Sequence, residues 1–354
     1  MERVLLIAVM LSATGCAGPV QMLRHIDDPY VRRQDGDLYL RGVRFPVVGV
    51  DVPSAASFVP SDRASTCGHW YPPEEFDDLF HKVRESGGTV VRIWAFRRFT
   101  EEGKDFRRLD YAVAHAKAYG LRVILSLDHR EGVCSGDKWR DAAWYRNGYR
   151  TGGDGFSQSY LDHALGLARH YRNEPAVLIW QLVDGDETGE WSVDPKVRLA
   201  FAVDVSHAIK QVDPNHLVAY GVAADNQPNG AEIAGIPWID VSMRSDRQRI
   251  WFELWSRRAR DCVRDADRFK KACVMAPVGG DSSREDGAAK QFFAAVRDAR
   301  VLGTLYTDAD GAIIALPPPG ERTGADAENL SLPLKALRLL AHFVWDRTGH
   351  HPPY

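Results

Sequence analysis

Asp184, Asp186, Glu187 and Glu190 crowd one short stretch, directly after the apolar run Ala176-Val-Leu-Ile-Trp-Gln-Leu-Val183. Carboxyl groups gathered in this way suit proton transfer and covalent catalysis, so the stretch is either a catalytic site or the remains of one. A short apolar run bounded by Gly and acids reads as a buried strand with an exposed end. In parallel α/β proteins that end is where chemistry sits.

Aromatic residues offer a second kind of chemistry, because flat rings stack on the apolar faces of pyranose sugars. Trp70, Trp94, Trp139, Trp144, Trp191 and Tyr306 fall at or just beyond predicted strand C-termini. Taken singly, each ring suits core or loop packing better; as a set on one face they point to sugar binding. Asp128, Asp184, Asp186 and Glu187 give that face an acidic rim, which solvated loop charge would equally produce.

The elements that must position these residues alternate along the chain. Tyr30 to Phe45 reads as a β-hairpin turning at Asp35-Gly36. Strands are predicted at Pro46–Asp51, Thr89–Trp94, Arg122–Asp128, the Ala176 run, His216–Gly221, Ile239–Val241, Ala272–Ala276 and Gly303–Thr307. Composition and apolar spacings of three and four predict helices over Pro73–Ser86, Leu109–Tyr119, Ser157–Tyr171, Val197–Val212, Asp246–Ala266, Asp286–Leu302 and Leu332–Trp345. His129–Phe156 reads as a long polar and aromatic insertion, and 226–235, 279–287 and 317–328 as loops. Eight strands alternating with helices, with no shift in composition, predict one α/β domain over 29–354. It is a closed (β/α)8 TIM barrel with an N-terminal β-hairpin. An open doubly wound sheet is the alternative, disfavoured because no Gly-x-Gly-x-x-Gly turn follows an early strand.

Composition narrows the partners. A net charge of −3 over 354 residues leaves no polyanion-binding surface, which argues against nucleic acid. The chain has no apolar run long enough to span a bilayer. Its start is different in kind: Met1-Glu2-Arg3 precedes the apolar Val4–Leu11 and then Ser12-Ala-Thr-Gly-Cys16. This resembles a bacterial lipoprotein signal over 1–16, with Cys16 as the lipidated residue, departing from the usual box in having Ala13 where Leu is commonest. A plain signal peptide and a misplaced start are the alternatives. Residues 17–28 would then be a short tether, and the protein an exported, membrane-anchored monomer of the cell envelope.

Apart from Cys16, the cysteines are Cys67, Cys134, Cys262 and Cys273, an even number in an exported chain, which favours disulfides over buried free thiols. Three connectivities are open. Cys67 and Cys134 both fall in loops expected on the upper face, and Cys262 and Cys273 are close in sequence, so the pairing Cys67–Cys134 with Cys262–Cys273 is the expected one. No spacing matches a close metal-ligand pair, so no metal or other cofactor is expected.

Several segments carry a family resemblance. Gly49-Val-Asp51, Val-Val-Arg92-Ile-Trp94, Leu127-Asp128-His129 and Tyr171-Arg-Asn-Glu-Pro-Ala-Val-Leu-Ile-Trp-Gln-Leu182 resemble family 5 glycoside hydrolases, nearest to the endo-mannanase and cellulase branch. The resemblance implies a barrel whose C-terminal face holds an extended sugar groove. It also implies a retaining mechanism with two carboxyl groups about 5–5.5 Å apart. In the family pattern Trp-x-Leu-x-Asn-Glu-Pro the Glu is the acid/base; here the frame reads Trp180-Gln-Leu-Val-Asp184-Gly185-Asp186. Where the family has a nucleophile pattern like Lys-Pro-Val-Val-x-x-Glu-Phe-Gly, this chain reads Lys271-Ala-Cys-Val-Met-Ala276-Pro277-Val-Gly279, with Ala276 or Pro277 at the Glu position. Met243-Arg244-Ser245 stands where the family has His-x-Tyr.

Both expected carboxylates are therefore missing from the sequence, while Arg92 and His129, which the resemblance implies support the nucleophile and bind sugar, remain. Without a nucleophile, Arg92 is expected to pair with Asp51 or Asp281. The fallback catalytic candidates are Asp184, Asp186, Glu187 and Asp281, with Asp308 as a further acid. The sugar-facing set is Asp51, Arg92, Trp94, Asp128, His129, Trp139, Trp144, Trp191 and Tyr306. Three readings follow: a silent, tethered barrel that binds an oligo- or polysaccharide, an active glycosidase using relocated acids, and an envelope assembly protein that binds protein through its rim.

Overall fold

A computed structural model describes residues 27–53, 55–56, 73–132, 134–136, 138–185, 193–223, 230–246, 252–280 and 303–308. Eight parallel strands close into a barrel: β4 (Val47–Asp51), β5 (Val90–Trp94), β6 (Arg122–Ser126), β7 (Val177–Gln181), β8 (Leu217–Ala223), β9 (Val241–Asp246), β10 (Ala272–Gly280) and β11 (Gly303–Asp308). The ring runs in chain order, and β11 pairs back onto β4, for example Leu305 opposite Gly49. The predicted barrel is the observed one.

Alternation within the strands sorts side chains between two layers. In β5, Val90 belongs to the apolar cluster that fills the lower bore, whereas Val91 and Ile93 join the cluster under the surrounding helices. Arg92 shares the inward phase of Val90 one step nearer the C-terminal mouth. β7 needs a correction to its phase. Val177 pairs with Val123 but Ile179 with Ile124, so Leu178 is an extra residue in the ladder. That bulge lets Leu178 and Ile179 both face the bore, turns Trp180 outward into the helix layer and gives Gln181 the inward phase.

The N-terminal hairpin closes the bottom. β1 (Val31–Gln34) and β2 (Asp37–Leu40) pair around Asp35-Gly36, and a second turn at Arg41-Gly42 adds β3 (Val43–Arg44), which the sequence reading did not anticipate. All four turn residues have positive φ, as two-residue hairpins of right-handed twist require, and Gly supplies it without steric cost at Gly36 and Gly42. Val31, Leu38 and Phe45 are buried against Val47, Val90, Leu217 and Ala272 at the strands' lower ends.

Several boundaries move. The insertion 129–156 contains a short helix, Ala142–Arg146, capped by Asp141, and a 3-10 turn, Gly148–Arg150. The helix after it begins at Tyr160 because the Ser159 hydroxyl accepts from the Asp162 backbone N–H. A helix, Gly230–Ala234, lies inside the expected loop 226–235. β9 starts at Val241 and runs to Asp246, so the next helix is Phe252–Arg268. β10 extends through Gly280, into the expected loop 279–287. Segment 1–16, nearly all of 17–28, the helices 286–302 and 332–345 and the loop 317–328 lie outside the described residues.

Cys262 and Cys273 form a disulfide joining the helix Phe252–Arg268 to β10. Cys134 is also disulfide-bonded, and its expected partner Cys67 lies outside the described residues.

Candidate functional site

At the C-terminal mouth the buried charge is organised around Arg92. Its Nε donates to Asp51 Oδ1 at 2.8 Å and one terminal nitrogen to Oδ2 at 2.6 Å, a bidentate fork across neighbouring strands β4 and β5. The other terminal nitrogen lies 3.0 Å from both Gln181 Oε1 and Asp184 Oδ1. Gln181 also donates to Asp184 at 3.3 Å. Burial favours the neutral guanidine, but the charges of Asp184 and Asp51 outweigh it and hold Arg92 protonated, above the ordinary arginine pKa. Arg92 and Asp184 are fully buried. Of the two partners expected for Arg92, Asp51 is the one observed, and Asp184 is a second; Asp281 lies outside the described residues.

Asp184 is fixed by its backbone as well. It bridges His129 in parallel register, its N–H donates to Asp128 O at 2.9 Å and its carbonyl accepts from Arg130 at 2.9 Å. The next residue, Gly185, is the one expected from the sequence frame at the acid/base position. Its φ is +67°, and a Cβ there would lie 2.7 Å from His129 Nε2 and 3.0 Å from Cε1. A side chain at 185 would meet both backbone strain and a buried imidazole.

The strand that would carry the nucleophile is irregular at the same place. Met275 pairs with Thr304 and Arg244, whereas Val278 pairs with Tyr306 and Asp246. Ala276 and Pro277 together thus face one residue on each side, a bulge of the kind that tolerates a proline lacking an N–H. Arg244, in the segment Met243-Arg244-Ser245 singled out in the sequence, is buried and pairs with Asp265 on the outer helix at 2.5 Å.

A second buried network holds the insertion to the barrel. Asp128 accepts from Arg140 Nε at 3.1 Å and a terminal nitrogen at 3.0 Å, and from the His129 N–H at 2.7 Å. Arg97 lies 3.5 Å from Asp128 and forks onto Asp154 at 2.7 and 2.6 Å. Burial works against the Asp154 carboxylate, but hydrogen bonds and charge from Arg97 and Arg140 lower its pKa overall. Trp144 completes the network by donating Nε1 to Asp154 at 2.8 Å.

The sugar-facing candidates therefore divide. Asp51 and Arg92 pair with each other, and Asp128 is saturated by arginines and a backbone N–H. Trp144 does not reach the groove: it is buried among Tyr145, Tyr149, Tyr160 and Phe201. Trp94 is buried and stacked on Phe96 at 4.7 Å, with His129 at 5.9 Å. Trp139 is 51% exposed, on a backbone held by the Arg140 to Arg130 bond and standing near the buried Arg130 guanidinium, 5.8 Å from its ring. Asp186, Glu187, Trp70 and Trp191 lie outside the described residues; Tyr306 and Asp308 are placed by backbone alone, at the end of β11. Arg97, Arg140, Asp154 and Gln181 complete the mouth without having been singled out in the sequence.

Comparison with known proteins fits this arrangement. The family model for Cellulase (glycosyl hydrolase family 5) matches residues 54–261. The chain belongs to glycosyl hydrolase family 5. A mannan endo-1,4-beta-mannosidase homologue of Oryza sativa subsp. japonica is 27% identical over 302 residues, 70% of this chain and 68% of the homologue. Mannan endo-1,4-beta-mannosidase A of Emericella nidulans is 24% identical over 237 residues, 56% of this chain. Against that protein and a related Aspergillus flavus protein the chain spans 58% and 40% of their own length. The endo-beta-1,4-mannanase structure from Thermotoga petrophila superposes with a TM-score of 0.64 at 16% identity, covering 88% of this chain and 78% of that one, which shows a shared fold.

Proposed function

We propose that this family 5 barrel binds a β-linked glycan at its mouth without hydrolysing it. The observation that carries the reading is Gly185: the acid/base position has a left-handed backbone, and the His129 ring fills the space a side chain would need. The proline bulge at the nucleophile position supports it, since neither Ala276 nor Pro277 offers a carboxylate. Asp184, the acid beside Gly185 among the described residues, is committed to Arg92 and buried, which suits neither donation nor acceptance of a substrate proton. The mannanase names among the relatives favour a β-1,4-mannan or similar chain as the occupant, with Trp139 as the exposed ring for stacking.

We further read the N-terminus as an export signal ending in Cys16, which would tether a monomeric barrel to the envelope membrane. The test combines binding and turnover on the same preparation: affinity electrophoresis in mannan and glucan gels, and release of reducing ends from both. Retarded migration with no released ends is expected. Release that disappears in Asp184→Asn would instead establish a glycosidase with relocated acids. A folded protein that binds no polysaccharide on a broad array would favour a protein partner at the rim.

A further inference from the structure

The insertion also builds a site away from the barrel mouth. Its short helix and 3-10 turn lie against the helix Pro195–Val212 and leave a cavity of about 400 Å³ between them. That volume is within the range of small-molecule sites. Tyr145, Tyr149 and Phe201 form the floor, both tyrosine rings meeting Phe201 edge to face at 5.1 and 4.9 Å. Asp204 is the single acid lining it among the described residues, and it is already engaged: the Tyr149 hydroxyl donates to it at 2.6 Å, and Arg150 pairs with it at 2.6 Å. Arg146 and Lys196 also line the cavity, both exposed, and neither has an ion-pair partner among the described residues. The cavity therefore presents two cations that no described residue pairs, over an aromatic floor.

The same helix extends this surface. Val203 is 41% exposed, and Trp238 is 37% exposed with its ring against His207 at 4.7 Å. Ala200, Val203 and His207 follow one another on one helix face, and at 1.5 Å per residue they span about 10 Å, the reach of a short oligosaccharide.

We propose that this flank is a second glycan surface, separate from the barrel mouth and selective for sugars that carry a carboxylate. A uronate ring would place its carboxylate between Arg146 and Lys196 as charge-assisted hydrogen bonds. A following ring would lie along Val203 toward Trp238. Neutral sugars would gain only the ring contacts, so the charge gives the selectivity. The inference stands on the flank alone and is independent of whether the mouth binds or cleaves anything.

The test is calorimetry of the full chain with tetragalacturonate and with its methyl ester. The acid is expected to bind and the ester to bind at least about tenfold more weakly, with the acid's affinity falling as salt rises. The double variant Arg146→Ala/Lys196→Ala should lose that preference, and Trp238→Ala should weaken both ligands. Equal affinity for acid and ester, an unaltered double variant, or equally good displacement by a glutamate peptide would each overturn the assignment.

Discussion

The imidazole of His129 occupies the space above Gly185 Cα, 2.7 Å from where a Cβ would stand. Placing a glutamate at 185 is therefore more than adding a carboxylate. Gly185→Glu is expected to leave mannan and glucan hydrolysis undetectable, and Gly185→Ala to cost about 1–3 kcal/mol through its positive φ. Thermal melts and reducing-end assays on both variants check this; hydrolysis gained by Gly185→Glu would contradict it.

Arg92 serves two carboxylates at once, so the two sides of the pairing differ in cost. Arg92→Leu leaves Asp51 and Asp184 buried without their cation and is expected to destabilise by about 3–5 kcal/mol. Asp184→Asn keeps a polar partner for Gln181 and leaves Arg92 forked on Asp51, so its loss should be distinctly smaller. Denaturant titration of the two variants gives the ranking, and a reversed order would refute it.

Asp154 ties the insertion to the barrel through Arg97, Arg140 and Trp144. Asp154→Ala leaves two arginines facing the single Asp128, and the insertion should loosen before the barrel melts. Limited proteolysis should cut between 130 and 156 at least several times faster than in the wild type, while the global melt shifts less.

His163 carries a pH dependence. Its Nε2 lies 2.7 Å from Ala95 O, and burial lowers its pKa from 6.5 to about 4. Between those values the unfolded chain binds a proton that the folded chain does not, so stability rises with pH across this window and is lost as pH falls through it. Wild type should lose on the order of 1–3 kcal/mol more than His163→Gln between pH 7 and pH 4. Parallel losses in the two proteins would show that other groups carry the acid sensitivity.

The Cys262–Cys273 disulfide closes a short loop with a sequence separation of 11. Its replacement by Cys262→Ser/Cys273→Ser is expected to cost about 2–3 kcal/mol. A reductant should then lower the melt of the double variant by less than it lowers the wild-type melt, the remaining shift coming from the disulfide at Cys134.

The barrel was legible because alternating strand and helix patterns report burial directly, residue by residue. Arg92 with Asp51 was legible too, since both stand at strand ends in segments that carry the family pattern. The clamp beneath the insertion was not: Arg97 meets Asp128 31 positions away and Asp154 57 away, and nothing local marks either pairing. Trp144 shows the complementary limit, because a sequence gives the ring but not its direction, and here the ring is buried between the insertion and the two helices that carry Tyr160 and Phe201. In β7 the continuous apolar run hides the bulge at Leu178, which sets which side of the strand Gln181 takes.

The charged clamp has a kinetic corollary for whatever meets Trp139. With Arg97, Asp128, Arg140 and Asp154 locked together beneath it, the backbone carrying that indole is set before any ligand arrives. A sugar docking there forgoes the entropy of ordering a loop. Substitutions in the clamp should consequently slow the arrival of a glycan, as well as hasten its departure, because the ring would first have to find its place.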